Sequence, residues 1–376
     1  MSRLPVRHVR WSVPLLVVGT VAAGAQLTSS AAASSPELPP VSAQQLLVRA
    51  GTTAPQPYSG EVRLRTALGL PALPQQGSTD WSALVSGTHT LRVAQDGPRL
   101  QRVDLIGDLA QASVVRDGRQ LWTWSSTTRR ATRTTLPAPG PQRRPGSPAV
   151  PTTPQRVPLT PDEAARQALA AVGASTEVSV GRAARVAGRS AYVLQLTPRD
   201  ARSLVSGVRI YLDARTSTVL RTTVGARGHA EPAVDVAFTR LRLAAPAAST
   251  FRFAPPPGVQ VREVPLPSFR RPDAGGPTEP QAGGQPRVHG SGWTSVLQTP
   301  TLPVLVGQDG QGDRGAPAAA LLRASTPVRG TFGTGRLLRT RLLTVLQTQD
   351  GRVFAGAVTA AELLRVAEAA QATTAR

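Results

Sequence analysis

The stretch VRIYLDARTSTVLRTTV, Val208 to Val224, reads as a strand, a turn and a second strand. Val208, Ile210 and Leu212 alternate with Arg209 and Tyr211, the period-2 pattern of a strand with one buried face. Asp213-Ala214-Arg215 opens the turn, and Thr218-Val219-Leu220 starts the return strand. A sheet that carries chemistry should gather acids, bases or metal ligands. A sheet that packs on a core, or holds something greasy, should turn only apolar side chains inward. This hairpin is of the second kind.

The same alternation recurs on both sides. In YSGEVRLRTALGL, Val62 and Leu64 face one way and Glu61, Arg63 and Arg65 the other. HTLRVA sets Leu91 and Val93 against Arg92, and Val103 and Leu105 are in phase in the next segment. ASVVRDGRQLWTW has Asp117-Gly118 as a hairpin signal, with Trp122 and Trp124 two apart on one face. Turns this short join only antiparallel neighbours. After a proline-rich insert, 137–158, RSAYVLQLTP puts Tyr192, Leu194 and Leu196 in phase, and AVDVAFTRLRL presents Phe238 after Val234 and Val236. The prolines of FRFAPPPGVQV mark a sheet edge or exit.

Helices are marked by their caps. Ser42 and Gln45 form a capping box, Val41 and Leu46 a hydrophobic staple, and Gly51 is placed to end that helix with positive φ. Thr160 as N-cap, Pro161 at N1 and Glu163 at N3 start a second helix that Gly173 stops. Its stripe of Ala165, Ala168, Leu169 and Val172 lets it lie close on a sheet. Past a Gly/Pro-rich linker, GWTSVL reads as a short strand, Gly330 to Gly335 as a loop entering a strand, and RLLRTRLLTVLQTQDGRVFAGAV as a hairpin around Asp350-Gly351. Thr359 caps the last helix, with Glu362 at N3 and Val358 and Leu363 as a staple.

The net charge is +21, and all 43 basic residues are arginine. The arginines are scattered, no run reaches five, and the chain has only 5 Trp, 3 Tyr and 6 Phe as stacking platforms. A nucleic-acid partner is therefore not expected, whereas contact with an anionic membrane surface is. The chain lacks cysteine, which excludes disulfides, thiolate metal sites and a thiol nucleophile. Residues 1–33 read as a signal peptide: three arginines, an apolar stretch from Trp11 to Ala25, then small residues fitting a cleavage site. An uncleaved N-terminal anchor is the alternative. Either way the protein is expected to be secreted, or held in the extracytoplasmic cell envelope.

No catalytic constellation emerges. His8, His89, His229 and His289 have no partner at metal-ligand spacing. Asp309 to Asp313 is a Gly-rich turn, since Ala320 stands where a calcium loop needs glutamate. No G-x-S-x-G elbow occurs, and no cofactor or metal is expected. What remains is an apolar face: Val62, Leu64, Leu91, Val93, Trp122, Trp124, Tyr192, Leu194, Leu196, Val208, Ile210, Leu212 and Phe238. The two helices available to cover it are short, and the second offers mostly alanine. Either a hydrophobic ligand fills the space beneath them or the chain's own side chains do.

The order of parts carries a resemblance. PYSGEV, DGRQLWTW, TPDEAARQAL, AYVLQLTPRD, VRIYLDARTSTVLRTTV and FTRLRLAAPAASTFRFAPPPGVQV follow one another over roughly residues 41–262. This resembles the LolA-like proteins of actinobacteria, related to the outer-membrane lipoprotein carrier and to the N-terminal domain of the sigma-E regulator RseB. The resemblance implies an α+β fold with a curved antiparallel β-sheet, a half-open β-barrel wrapped around short helices. It implies an apolar cavity for acyl chains and no catalytic residue. The expected organisation is a signal peptide (1–33), the half-barrel (34–262), a flexible linker (263–290) and a C-terminal hairpin–helix unit (291–376). The expected function is non-enzymatic binding of a lipid or acylated protein. The alternative is an RseB-like envelope-stress regulator acting through a membrane-bound regulatory protein. A hydrolase acting on cell-wall or lipid esters has only the location in its favour.

Overall fold

The computed structural model describes residues 36–53, 56–70, 81–107, 110–136, 159–170, 172–264, 286–299 and 323–374. The signal segment, the insert 137–158, residues 265–285 of the linker and the Asp309 turn lie outside the described residues. The described residues from Leu38 onward belong to one compact unit. None of its helices is long and apolar enough to cross a membrane.

Helix α1 (Ala43–Thr52) leads into strands β1 (Tyr58–Ala67), β2 (Ser86–Asp96), β3 (Leu100–Ile106), β4 (Gln111–Asp117), β5 (Gln120–Ser125) and β6 (Arg130–Thr135). Helix α2 (Pro161–Ala170) precedes β7 (Thr176–Val186), β8 (Arg189–Pro198), β9 (Val205–Asp213), β10 (Val219–Ala226), β11 (Pro232–Arg242) and β12 (Gln260–Glu263). These twelve strands form one sheet in the order β12-β6-β5-β4-β3-β2-β1-β11-β10-β9-β8-β7. Among the described residues it is open: β7 pairs only with β8, and β12 only with β6. Two antiparallel meanders, β1 to β6 and β7 to β11, join where β1 pairs with β11. Among the described residues the one parallel pairing is β12 on β6.

Bulges at Glu61/Val62, Val224/Gly225 and Gly181/Ala184 interrupt the ladders and curl the sheet. At the first of these, a Cβ on Gly60 would lie 2.3 Å from the Arg240 carbonyl oxygen, so only glycine permits the approach. The β7–β8 hairpin turns at Ala187-Gly188, both at positive φ, as a two-residue turn matched to strand twist requires. Strand β7 is absent from the sequence-based reading. Its bulge and its run of Gly181, Arg182, Ala183 and Ala184 break the alternation that marks the other strands.

Helix α1 has the expected capping box: Gln45 N–H donates to Ser42 Oγ at 3.2 Å, and Ser42 N–H to Gln45 Oε1 at 3.2 Å. Gly51 does not end it. The helix runs to Thr52, and the hydroxyls of Thr52 and Thr53 donate to the carbonyls of Val48 and Arg49, satisfying the last turn without a left-handed residue. In α2, Glu163 N–H donates to Thr160 Oγ1 at 3.1 Å, but the Glu163 carboxylate reaches past the cap to Leu159 N–H.

A second sheet begins at Arg287. Strands β13 (Arg287–His289), β14 (Val296–Thr299), β15 (Thr326–Gly330), β16 (Gly333–Arg339), β17 (Thr344–Thr348) and β18 (Val353–Gly356) pair antiparallel in the order β13-β14-β18-β17-β16-β15. Helix α3 (Ala360–Thr374) packs on it through Leu363, Val366 and Ala367, with Val358 just before the helix, against Leu346 and Phe354. The expected hairpin around Asp350-Gly351 is β17–β18. The expected loop at Gly330 is instead the β15–β16 turn, anchored by buried Phe332. In GWTSVL a helical turn at Gly292–Thr294 precedes the strand. The two sheets are bonded: Leu204 N–H donates to Ala357 O, Thr359 N–H to Arg202 O and Arg341 N–H to Leu68 O, each at 2.8 Å.

Candidate functional site

Register places the apolar residues. Val62 faces Leu91 on β2 and Phe238 on β11. Leu64 faces Val236, and that row continues through Thr222 and Ile210 to Leu194. Val208 faces Leu196, and Leu212 faces Tyr192. Val93 is two residues from Leu91 and shares its face. Eleven of the thirteen residues therefore lie on one inner face, each at most 9 % exposed.

Trp122 and Trp124 lie on the other face. The row Ala94, Arg102, Val115, Trp122 alternates with the row of Val93, and Trp124 aligns with Arg92, Asp104 and Ser113. The cause is a distant segment. After β11 the chain crosses the outer face, where Arg102 Nη1 donates to Thr250 O at 3.2 Å and Phe251 is buried. Phe253 then packs on Trp122 with centroids 5.4 Å apart, and the Arg133 guanidinium sits 5.6 Å from the same ring. Nothing local in QLWTWS reports that cover.

The inner face divides into two clusters. Tyr192, Leu194, Leu196, Val208, Ile210 and Leu212 pack beneath Leu46 of α1 and Ala165 and Ala168 of α2. Val62, Leu64, Leu91, Val93 and Phe238 pack with Tyr58, Leu84, Leu105 and Ala164. Leu342, from the β16–β17 connection, touches both. The alanines bring α2 down onto β10, where Thr222 Oγ1 donates to Pro161 O at 2.9 Å. Polar tips in this interior are satisfied. Tyr192 OH donates to Pro39 O at 3.0 Å, and Tyr58 OH to Gln95 Oε1 at 3.3 Å. Burial raises the Tyr58 phenol pKa well above its usual value, Asp162 adds to this, and Arg166 opposes it. Tyr58 also meets Phe238 edge-on at 5.4 Å.

The sequence reading places Trp293 only in the short strand GWTSVL, with no part in this interior. Trp293, from the helical turn before β14, is buried in the first cluster, and its Nε1–H donates to Thr176 Oγ1 at 2.7 Å. A lone tryptophan in a Gly/Ser-rich stretch was the available signal.

A polar cleft of about 390 Å³ lies where the β8–β9 connection meets α3, between Arg202, His289, Ser291, Glu362 and Arg365. Glu362 is buried, accepts from Arg365 Nε at 2.9 Å and Nη2 at 2.6 Å, and from Arg202 Nη1 at 3.2 Å. The Arg365 bonds hold its carboxyl below the ordinary range against burial, and Arg202 assists. His289 Nε2 is engaged by Gln298 Oε1 at 2.7 Å, and His89 Nε2 by Ser86 O at 2.8 Å. Among the described residues no three His, Asp or Glu converge as a metal site.

No family model matches the chain, and no curated protein does. Among solved structures it is similar to MucB of Pseudomonas aeruginosa in its complex with MucA, at 18% identity and TM-score 0.43, covering 86% of this chain and 96% of that one. It is also similar to an uncharacterized conserved protein of Thermus thermophilus, at 14% identity and TM-score 0.34, covering 59% and 99%. A LolA superfamily protein of Nitrosomonas europaea matches at 14% identity and TM-score 0.22, covering 57% and 99%.

Proposed function

We propose that this chain is a non-enzymatic lipid- or lipoprotein-binding protein of the extracytoplasmic envelope, holding an acyl chain against the inner face of the half-barrel. One observation carries the reading. Eleven apolar side chains from β1, β2, β8, β9 and β11 share a face, and the two ten-residue helices that roof it touch it with Leu46, three buried alanines and the partly buried Leu47, Ala50 and Leu169. Each methylene that slid beneath that roof would gain about 0.8 kcal/mol, set against the side-chain contacts it displaced. The eleven residues themselves carry no charged group to orient a polar head, so the head would stay outside.

Native mass spectrometry of the protein purified from its own host, followed by organic extraction, tests this. A stoichiometric lipid or acyl adduct is expected. A mass equal to the polypeptide alone, with an empty extract, overturns it.

A second reading is favoured by Trp293. It seats the C-terminal sheet in the same core, a suitable lever for a regulator that engages a membrane-bound protein through that sheet. Crosslinking in host membranes should then recover one partner with the full chain and lose it with Arg365→Glu.

A further inference from the structure

The outer face of β2, β1, β11, β10 and β9 gathers arginine. Arg92 faces Glu61, which faces Arg240 across the next ladder, and Ser59 faces Arg242. Arg63 stands between Thr90 and Ala237, and the row of Arg65 runs through Asp235 and Thr223 to Arg209. Arg65 pairs with Glu231, Arg221 with Asp235, and Arg240 lies 3.7 Å from Glu61. The remaining four, Arg63, Arg92, Arg209 and Arg242, are exposed, and their guanidiniums have no partner among the described residues.

Like charges on adjoining strands destabilise a sheet. Packing gives these exposed arginines no reason to be kept, because most of the apolar load, the eleven buried residues, is on the other face. Four strand spacings separate Arg92 from Arg209, so the array is about 20 Å wide. It spreads in two dimensions instead of following a groove. Exposed Thr88 and Thr90 add hydroxyl donors beside it. Tyr211, the aromatic ring in the Arg63 row, has the Arg221 guanidinium over it at 5.2 Å and packs against the Val186, Ala191 and Leu220 cluster, so it is a poor platform for base stacking.

We propose that this outer face docks on an anionic phospholipid bilayer, the four unpaired guanidiniums meeting lipid phosphates. The charge complementarity is between a broad field of fixed cations and a surface of mobile anions, which can rearrange to meet them. This proposal is independent of what the inner face holds.

The test is cosedimentation of the full chain with vesicles of phosphatidylcholine alone and of phosphatidylcholine with phosphatidylglycerol, across a salt series. Tighter binding to the anionic vesicles is expected, weakening as salt rises. Each basic residue near such a surface contributes about a factor of five. The variant R63S/R92S/R209S/R242S should therefore lose about five-hundredfold in affinity at low salt. A control removing Arg99, Arg182, Arg287 and Arg329, exposed elsewhere, should lose far less. Equal loss in both variants would mean unspecific charge attraction and overturn the proposal. So would equal binding to both vesicle types. Patch-dependent binding to duplex DNA or an acidic polymer, without vesicle binding, would assign the face to a soluble polyanion and also overturn it. Should the quadruple variant misfold, the salt series on the unaltered chain still decides between anionic and neutral vesicles.

Discussion

Replacing Trp293 by alanine removes a buried indole and the bond from its Nε1–H to Thr176 Oγ1. Loss of this size in a core costs about 3–5 kcal/mol. Trp293→Phe keeps most of the volume and loses mainly the hydrogen bond, about 1 kcal/mol. Urea unfolding of both variants should give that order, and near-equal losses would mean that the hydrogen bond dominates the volume. Asp213 makes a different kind of contribution. Its buried carboxylate accepts from Arg189 Nε, from the N–H groups of Arg215 and Thr216 at 3.0 and 2.8 Å, and from Thr216 Oγ1 at 3.0 Å. Burial pushes its pKa up, but the Arg189 bond and the turn donors outweigh burial and hold it below the ordinary range. A depressed carboxylate stabilises the fold fully above its unfolded value, about 3.9, and loses that contribution as pH falls through the folded value. Asp213→Asn should therefore cost about 1–3 kcal/mol at neutral pH, with the gap to the natural protein closing below about pH 4. Stability curves against pH check this, and a gap constant down to pH 2 would remove the charge from the account. Single residues were legible where their partners are local, as Asp213 is in its turn. Trp122 was not, since its partner Phe253 arrives from 131 positions downstream on the opposite face.

Helix α2 shows what an element needs besides its caps. Thr160, Pro161 and Glu163 could be read directly from the chain because capping is a matter of four neighbouring residues. Its stripe of alanines also predicted close approach to a sheet, and Ala164, Ala165 and Ala168 are buried there. At such a contact extra volume has nowhere to go. Ala165→Leu should force the helix outward and cost about 1–3 kcal/mol, while the same change at the exposed Gln167 should be nearly neutral. Thermal unfolding of the pair measures the difference, and an unchanged midpoint for Ala165→Leu would reveal free space beneath the helix. The elements that escaped sequence reading did so for related reasons. In β7 the bulge resets the alternation mid-strand. In the β15–β16 hairpin glycine fills both arms of the turn, so no apolar period announces a strand, and Gly335 is required because a Cβ there would lie 2.8 Å from the Gln347 carbonyl oxygen. Helix α3 keeps half of its expected capping box. Glu362 N–H donates to Thr359 Oγ1 at 3.4 Å, but the Thr359 N–H is spent on Arg202 O and the Glu362 carboxylate on two arginines.

At the scale of the molecule the two sheets share their stabilising contacts. Trp293, Leu342 and Ala357 lie in or against the core of the half-barrel, and three backbone hydrogen bonds cross from one sheet to the other. The Arg202 side chain adds an ion pair to Glu362 while also holding Asp200. Elements that lend each other core residues open together, whereas elements joined only by a linker open with their own free energies. The chain should therefore unfold in urea as one cooperative transition. Hydrogen-exchange mass spectrometry can follow β9–β10, residues 205–226, and β17–β18, residues 344–356, in the same sample. Their midpoints should coincide in the natural protein. In Trp293→Ala the tryptophan is gone but the backbone bonds to Ala357 and Arg202 remain, so the C-terminal sheet should open at lower urea than the half-barrel. Two separate midpoints already present in the natural chain would mean that the shared core does not couple the sheets, and the lever that the second functional reading requires would be lost with it.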